Sequence, residues 1–71
     1  MNQINPAKLL SSKWTAANPS NREKHFLVTE MEYDDEGRVI SCKIEAVLSK
    51  NEYLIDWTEL KHQDKWLQGW K

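Results

Sequence analysis

Few side chains in this sequence could carry out chemistry: one cysteine, two histidines and scattered carboxylates. Cys42 and His25 are the candidate nucleophile and base of a thiol enzyme, and such a pair needs hydrogen-bond contact of about 3 Å. The strand pairing that the sequence favours separates them by roughly 13 Å, at about 3.4 Å per residue. Cys42 also falls in an alternating apolar row, where a cysteine is most simply a small buried hydrophobe. We therefore predict no nucleophilic catalysis by this pair.

Metal and cofactor sites are not predicted either. A metal would have to draw on His25, His62, Cys42 and Asp64, and no two of these have the ligand spacing of a zinc or iron site. Phosphate-binding loops need clustered glycines, and the two glycines lie in separate contexts. Paired carboxylates need an enclosing cleft, which so small a domain can hardly form. We predict a protein that is not an enzyme and that holds no metal or cofactor.

Tryptophan beside lysine is the pattern that remains. Four of the 71 residues are Trp, and each ring can bury about 150 to 250 Å². Most of these rings are predicted to fill the core, because a short chain has few aliphatic residues for that purpose. A ring beside a basic residue also suits stacking on unpaired bases, and an exposed ring suits a protein interface. The candidate binding residues are Trp14, Lys13, Lys24, Trp66 and Trp70, with Trp70 expected to be the most exposed ring.

The charge of the chain is nearly balanced but unevenly placed. The net charge is -1 and the pI is near 6.1, which argues against a constitutive nucleic-acid binder. Residues 1–24 carry four basic side chains and one acidic one, whereas residues 25–36 carry five acidic side chains and no Lys or Arg. The basic end allows a local basic patch, although solvated charge is the simpler interpretation.

The single Cys42 cannot form an internal disulfide. The first residues lack the basic start, apolar core and cleavage site of a leader, and no apolar run approaches the roughly 20 residues of a membrane span. We therefore expect a cytoplasmic protein without membrane contact, present as a monomer or weak homo-oligomer.

Two long stretches, His25–Tyr33 and Arg38–Leu48, alternate with period two and predict strands. The link Asp34–Gly37 supplies turn formers, and Gly37 is free to adopt the positive φ that closes a hairpin. One register puts like faces together and leaves one side of the ribbon almost entirely apolar. That register places Tyr33 opposite Arg38, Met31 opposite Ile40, Thr29 opposite Cys42 and Leu27 opposite Ile44.

Shorter elements are predicted on either side of this hairpin. Lys13–Ala16 and Tyr53–Trp57 read as short strands, and Asn18–Asn21 reads as a turn. Asp56 or the following threonine is suited to cap a helical turn. The end of the chain, residues 64–71, is predicted to be helical or irregular.

The predicted fold class is mainly β. We expect a small antiparallel sheet of three to four strands in sequential order, curled into an SH3-like half barrel, with a short C-terminal helical segment that packs Trp66 across the sheet. A flat sheet backed by a C-terminal helix is the alternative. Residues 1–12 are predicted to be a flexible lead-in and residues 13–71 a single domain. The predicted core is Trp14, Leu27, Met31, Ile40, Cys42, Ile44, Ala46, Leu48, Ile55, Trp57, Leu60 and Trp66.

The four tryptophans and several short segments form a distinctive set. They are Lys13–Ala16, Pro19, Arg22–Phe26, Val28–Glu30, Glu36–Gly37, Ile44–Val47, Trp57 with Leu60–Lys61, and Trp66 with Gly69–Lys71. In these segments the chain resembles a family of small tryptophan-rich bacterial proteins that is a domain of unknown function. The resemblance runs from about Lys8 to Lys71. It implies a self-contained single-domain bacterial protein and brings no activity, cofactor or catalytic residue.

The functional prediction therefore depends on the residues alone. We expect a small binding or accessory protein that acts through a protein partner, because a small sheet with an exposed edge can accept a strand from that partner. The alternative is a single-stranded RNA-binding module whose Trp and Lys side chains form a stacking surface.

Overall fold

The computed structural model describes residues 2–71, which form one curled antiparallel sheet of five strands. The strand order is β4-β3-β2-β1-β5, and the sheet does not close into a barrel. The mainly β, curled fold predicted from the sequence is confirmed. Among residues 2–71, no helix has the length and apolarity that crossing a membrane requires. The strands are β1 Lys13–Ser20, β2 Glu23–Tyr33, β3 Val39–Ala46, β4 Glu52–Ile55 and β5 Trp66–Gln68.

Tight turns join the first three strands. Between β1 and β2, Ser20 pairs with Glu23, and the two turn residues, Asn21 and Arg22, have φ of 53° and 62°. Two consecutive positive φ angles are typical of a type I′ turn, whose twist matches that of the flanking strands. β1 consequently continues to Ser20. The sequence had predicted that this strand ends at Ala16.

The second hairpin turns at the predicted place. Asp34 N–H donates to the Arg38 carbonyl at 2.8 Å, and Gly37, at φ 81°, donates to the Asp34 carbonyl at 3.0 Å. The Asp34 carboxylate also accepts from the backbone N–H groups of Glu36 and Arg38. These donors lower the pKa of Asp34, and the Arg38 N–H contributes most.

The predicted register of β2 and β3 is wrong. Val28 lies opposite Ile44, and Met31 lies opposite Cys42, so Thr29 is an extra residue that bulges out of β2. The bulge reverses the alternation of side chains along β2. Residues on both sides of it consequently face the same core.

A second bulge explains one wrong core assignment. Glu32 pairs with Ser41 and Tyr33 with Val39, which leaves Ile40 as the extra residue on β3. Its side chain is 65% exposed. The equally incorrect core assignment of Leu48, which is 81% exposed, arises because β3 ends at Ala46 and Leu48 lies in the following turn.

The core lies on one face of the sheet, with a 3-10 turn and the N-terminal segment packed against it. Leu27 is half-buried on the opposite face, since Phe26 and Val28 take the core positions of β2. Half-buried side chains from the predicted core, Met31, Ile55, Trp57 and Trp66, pack around the buried cluster. The buried hydrophobic residues are Leu9, Trp14, Phe26, Val28, Cys42, Ile44, Ala46 and Leu60.

The N-terminal segment, predicted to be a flexible lead-in, packs against the domain over residues 2–12. A 3-10 turn at Pro6–Lys8 precedes Leu9, which is 3% exposed and part of the core. Asn2 N–H donates to the Lys61 carbonyl at 3.0 Å. Met1, which the predicted lead-in included, lies outside the described residues.

The C-terminal part begins with the predicted helical turn and ends in a strand. The 3-10 turn Trp57–Lys61 is capped by Asp56, whose carboxylate accepts from the Thr58 N–H at 3.0 Å. The side-chain hydrogen bond from Thr58 contributes most to lowering the pKa of Asp56. The prediction that residues 64–71 are helical or irregular is wrong for residues 66–68, because these form β5 and pair with β1.

Candidate functional site

An open groove lies in the gap between the two edge strands of the curled sheet, β4 and β5. Its volume is about 470 Å³. β4 forms one wall, β5 and the end of β1 form the other, and the central strands form the floor. The lining residues are Ala16, Asn18, Ser20, Asn21, Glu23, Phe26, Ile44, Tyr53, Leu54, Ile55, Lys65 and Trp66.

The floor of the groove is built from packed aromatic rings. Phe26 is 6% exposed, and the Trp66 ring meets it edge to face at a centroid distance of 5.1 Å. The Tyr53 ring also lies beside Phe26, and their ring centroids are 6.4 Å apart. Such tilted and edge-to-face pairs are favourable beyond their burial, by about 0.5 to 1.5 kcal/mol. The groove therefore offers a preformed apolar surface to a ligand.

A buried carboxylate organises one end of the groove. Glu23 is 6% exposed, and its carboxylate accepts from the Ser49 hydroxyl at 2.5 Å, the Tyr53 hydroxyl at 2.6 Å and the Asn51 amide at 3.0 Å. The Ser49 hydrogen bond is the largest of the influences that lower the pKa of Glu23. The same carboxylate raises the pKa of Tyr53. Glu23 thus ties the start of β2 to the turn that leads into β4.

The charge that a ligand can reach in the groove is positive. Lys65 is exposed on the β5 wall and forms no ion pair with any residue of the described chain. The carboxylate of Glu23 is occupied by three donors. Arg22, also exposed and outside every ion pair of residues 2–71, stands in the turn that closes the same end.

The outer edge of β4 is open. Ala46 N–H donates to the Asn51 carbonyl at 2.8 Å, which sets the phase of the hydrogen bonds between β3 and β4. Because alternate residues of an antiparallel strand turn their backbone groups to opposite sides, Glu52 and Leu54 point their N–H and C=O away from β3. Leu54 is also 72% exposed. β4 therefore presents an accessible edge beside the groove.

The other edges near the groove are blocked. The Trp66 carbonyl, on the outer edge of β5, accepts from the Asn2 amide at 2.8 Å. Gln68 donates from its side chain to the Gln3 carbonyl at 2.9 Å. Where β1 runs past β5, it contains Pro19, which has no N–H to donate.

The structure places three of the predicted binding residues in three separate locations. Trp14 is 2% exposed, and its indole N–H donates to the Ser12 hydroxyl at 2.8 Å, so its ring belongs to the core. Trp66 lines the groove. Lys24 is exposed on β2 and lines neither wall of the groove.

Trp70 and Lys13 come together on the opposite face of the sheet. The indole N–H of Trp70 donates to the Phe26 carbonyl at 3.0 Å, and the Lys13 ammonium lies 4.8 Å from the ring centroid. His25 lies beside them, with its ring centroid 6.1 Å from that of Trp70. Trp70 is 45% exposed and is the most exposed of the four tryptophans, as predicted.

The candidate nucleophile and base do not meet. Cys42 faces the core at 1% exposure, and burial is the main cause that raises the pKa of its thiol. His25 lies on the opposite face, where its Nε2 is 3.0 Å from the Lys71 carbonyl oxygen. Within residues 2–71, no three His, Cys, Asp or Glu side chains are placed to hold a metal ion.

Trp66 was the one lining residue predicted to bind, and the residues missed include Phe26, Tyr53 and Leu54. Phe26 was assigned to the face opposite the core because of the wrong register. Tyr53 and Leu54 were recognised as strand residues, yet nothing in their pattern shows that β4 is an edge. A signal for the groove was available in the polar turn Ser49–Asn51, whose side chains supply two of the donors to Glu23.

The fold and the groove together define a small half-barrel domain with one open edge strand in the described chain. Residues 12–71 match the model of a family described as tryptophan-rich protein (DUF2389), a family of unknown function. The chain belongs to this family, as its sequence resemblance had predicted. Comparison with curated proteins and with solved structures finds no match to this chain.

Proposed function

We propose that this protein is a non-enzymatic binding protein that takes an extended segment of a protein partner as an added strand along β4. Alternate side chains of that segment enter the groove. The observation that carries the proposal is the position of an open strand edge directly beside a preformed apolar groove of about 470 Å³. Added strands gain affinity from backbone hydrogen bonds and specificity from pockets for alternate side chains.

The geometry of β4 supports this mode. The backbone groups of Glu52 and Leu54 point outward, so one added strand has donors and acceptors with which to pair. Tyr53 and Ile55 project from β4 toward the groove, since they lie opposite the core residues Ile44 and Cys42. A strand added at this edge directs every second side chain to that same side.

The second candidate function is binding of single-stranded RNA, and the Trp70 cluster favours it. A half-exposed ring lies beside Lys13 and His25, and a base can stack on such a ring. Against it, the indole N–H is bonded within the protein and the ammonium already lies over the ring.

We also propose the cytoplasm as the compartment, because the single cysteine is a buried free thiol.

The test is a pull-down from bacterial lysate, with and without nuclease, with three forms of the protein as bait. Leu54→Pro removes an outward N–H that β3 does not use, whereas Leu54→Ala keeps it. We expect a stoichiometric protein that resists nuclease, is retained by Leu54→Ala and is lost with Leu54→Pro. Recovery of RNA, with the proteins lost after nuclease treatment, would instead support the second candidate.

Two further variants keep the test decisive. Gln68→Pro places proline at the opposite edge of the sheet, on an N–H that also points outward, and it should retain the partner. Asn18→Trp should fill the groove from an exposed position and release the partner even if Leu54→Pro fails to fold. Circular dichroism on each bait checks that the sheet is intact. Retention of the partner by a folded Leu54→Pro and by Asn18→Trp would refute the proposal.

A further inference from the structure

The charges around the groove indicate the chemistry of the segment it receives. The lining contains two charged side chains of opposite sign, Glu23 and Lys65. Glu23 is 6% exposed and three donors surround its carboxylate, which is therefore closed to a ligand. Lys65 is exposed and unpaired within the described chain. The accessible charge in the lining is consequently positive, and so is that of Arg22 in the turn at its end.

The spacing between Lys65 and the apolar floor also constrains the ligand. Lys65 directly precedes Trp66, whose ring packs on Phe26 at the floor. The β4 side of the groove carries its own acid, Glu52, but this side chain faces Lys43 at 3.7 Å on the other face of the sheet. An acidic group in the ligand is thus attracted to the β5 wall without meeting an unpaired carboxylate on the β4 wall.

We infer that the segment bound in the groove is acidic and amphipathic: it carries a large apolar side chain that packs on Phe26 and Trp66, and an Asp or Glu that pairs with Lys65. This inference rests on the proposed strand addition at β4. Because alternate residues of a strand share a face, the apolar and the acidic residue stand two positions apart. The observation behind the inference is that the Glu23 carboxylate is hydrogen-bonded within the protein, whereas Lys65 in the same groove has no ion-pair partner in the described chain.

The test uses short random linear peptides displayed on phage, with the full-length protein as bait. Peptides are selected on the wild-type chain, on Leu54→Pro and on Lys65→Glu. We expect the wild type to enrich peptides with a large apolar residue and an acid at positions i and i+2. Leu54→Pro should enrich none of them, and Lys65→Glu should change the preferred charge from acidic to basic.

The outcomes separate this inference from the proposed function. If peptides are enriched and depend on Leu54, but show no acidic preference or keep it in Lys65→Glu, the acidic partner is refuted and strand addition stands. If the wild type enriches no peptide over a folded Leu54→Pro, strand addition is refuted together with the inference. Asn18→Trp serves as a second bait with a filled groove, and it should also lose the peptides.

A titration then measures the ion pair itself. A synthetic peptide of the selected sequence is compared with its Asp→Asn or Glu→Gln form on the wild type and on Lys65→Gln. We expect Lys65→Gln to weaken the acidic peptide about twofold to fivefold, as for an exposed ion pair, and to leave the amide form unchanged. Added salt should reduce this difference. Equal weakening of both peptides would overturn the assignment of Lys65.

Discussion

The two edges of the sheet are treated differently by the same chain. At β5, the N-terminal segment covers the outer edge, and the Asn2 side-chain amide donates to the Trp66 carbonyl. At β4, the outward groups of Glu52 and Leu54 are not used by any other residue of the described chain. Open edges invite pairing with other strands, which is why proteins usually cover or break them. The β5 edge is therefore closed by the protein's own N-terminal segment, whereas the β4 edge is open.

The largest effect should separate a leucine in the turn next to the covered edge from a leucine on the open edge. Leu60 is fully buried in the turn that Asn2 grips, whereas Leu54 is 72% exposed on β4. Leu60→Ala should lower the free energy of unfolding by about 2 to 5 kcal/mol. Leu54→Ala should change it by about 0.5 kcal/mol or less. Urea denaturation followed by tryptophan fluorescence measures both, and equal losses would remove the contrast.

The next effect is the acid sensitivity of the anchor that holds β4. The pKa of Glu23 is lowered in the folded state from an ordinary value of 4.5, so its contribution to stability is complete above that value. This contribution disappears as the pH falls through the lowered pKa. The wild type should therefore lose stability more steeply than Glu23→Gln when the pH falls below about 4.5.

The comparison with Glu23→Gln isolates this carboxylate, because the lowered pKa values of Asp34 and Asp56 act equally in both proteins. Thermal melts at several pH values provide the measurement. Parallel curves for wild type and variant across the acid range would show that Glu23 does not anchor β4.

A smaller effect should follow from uncovering the β5 edge. Asn2→Ala removes the side-chain amide that donates to the carbonyls of Leu60 and Trp66. We expect the free energy of unfolding to fall by about 1 kcal/mol. Hydrogen exchange should accelerate at Leu67, whose amide lies within the β1–β5 pairing, and stay unchanged at Tyr53 and Ile55. Equal acceleration in β4 would mean that the two edges are coupled.

The smallest effect concerns the face opposite the groove. Lys13→Gln removes the ammonium over the Trp70 ring. We expect the free energy of unfolding to fall by about 0.5 to 1 kcal/mol. The variant should retain the protein partner, since Lys13 does not line the groove. Loss of the partner would move the binding surface from the β4 edge to the Trp70 cluster.

Local chemistry made much of the fold predictable. Alternating side chains identified the long strands, Gly37 identified the second hairpin, and Asp56 identified the capped turn. The faces of β2 were not predictable, because Phe26, Leu27 and Val28 are apolar in succession and fit a core on either side. The bulge at Thr29 decides between them, and a bulge leaves no mark in a pattern of period two.

The candidate site was predictable only in part. Trp66 was identified from its type, and Trp70 was expected to be the most exposed ring. Trp14 looked equally suitable and proved to be core. Burial separates these rings, and it depends on which segments fold over each face of the sheet. Lys65 could not be selected from ten basic residues, because its position on the groove wall follows from the pairing of β5 with β1.

The sequence by itself determined the mainly β class, the family, the hairpin turn at Asp34–Gly37 and the turn capped by Asp56, because these depend on residue type and on neighbours in the chain. Only the tertiary structure decided the register of the central hairpin, the conversion of residues 66–68 into a strand and the covering of one edge by Asn2. Each of these joins residues far apart in sequence, as Asn2 and Trp66 are. Such pairings are selected by the burial and hydrogen bonding of the whole domain.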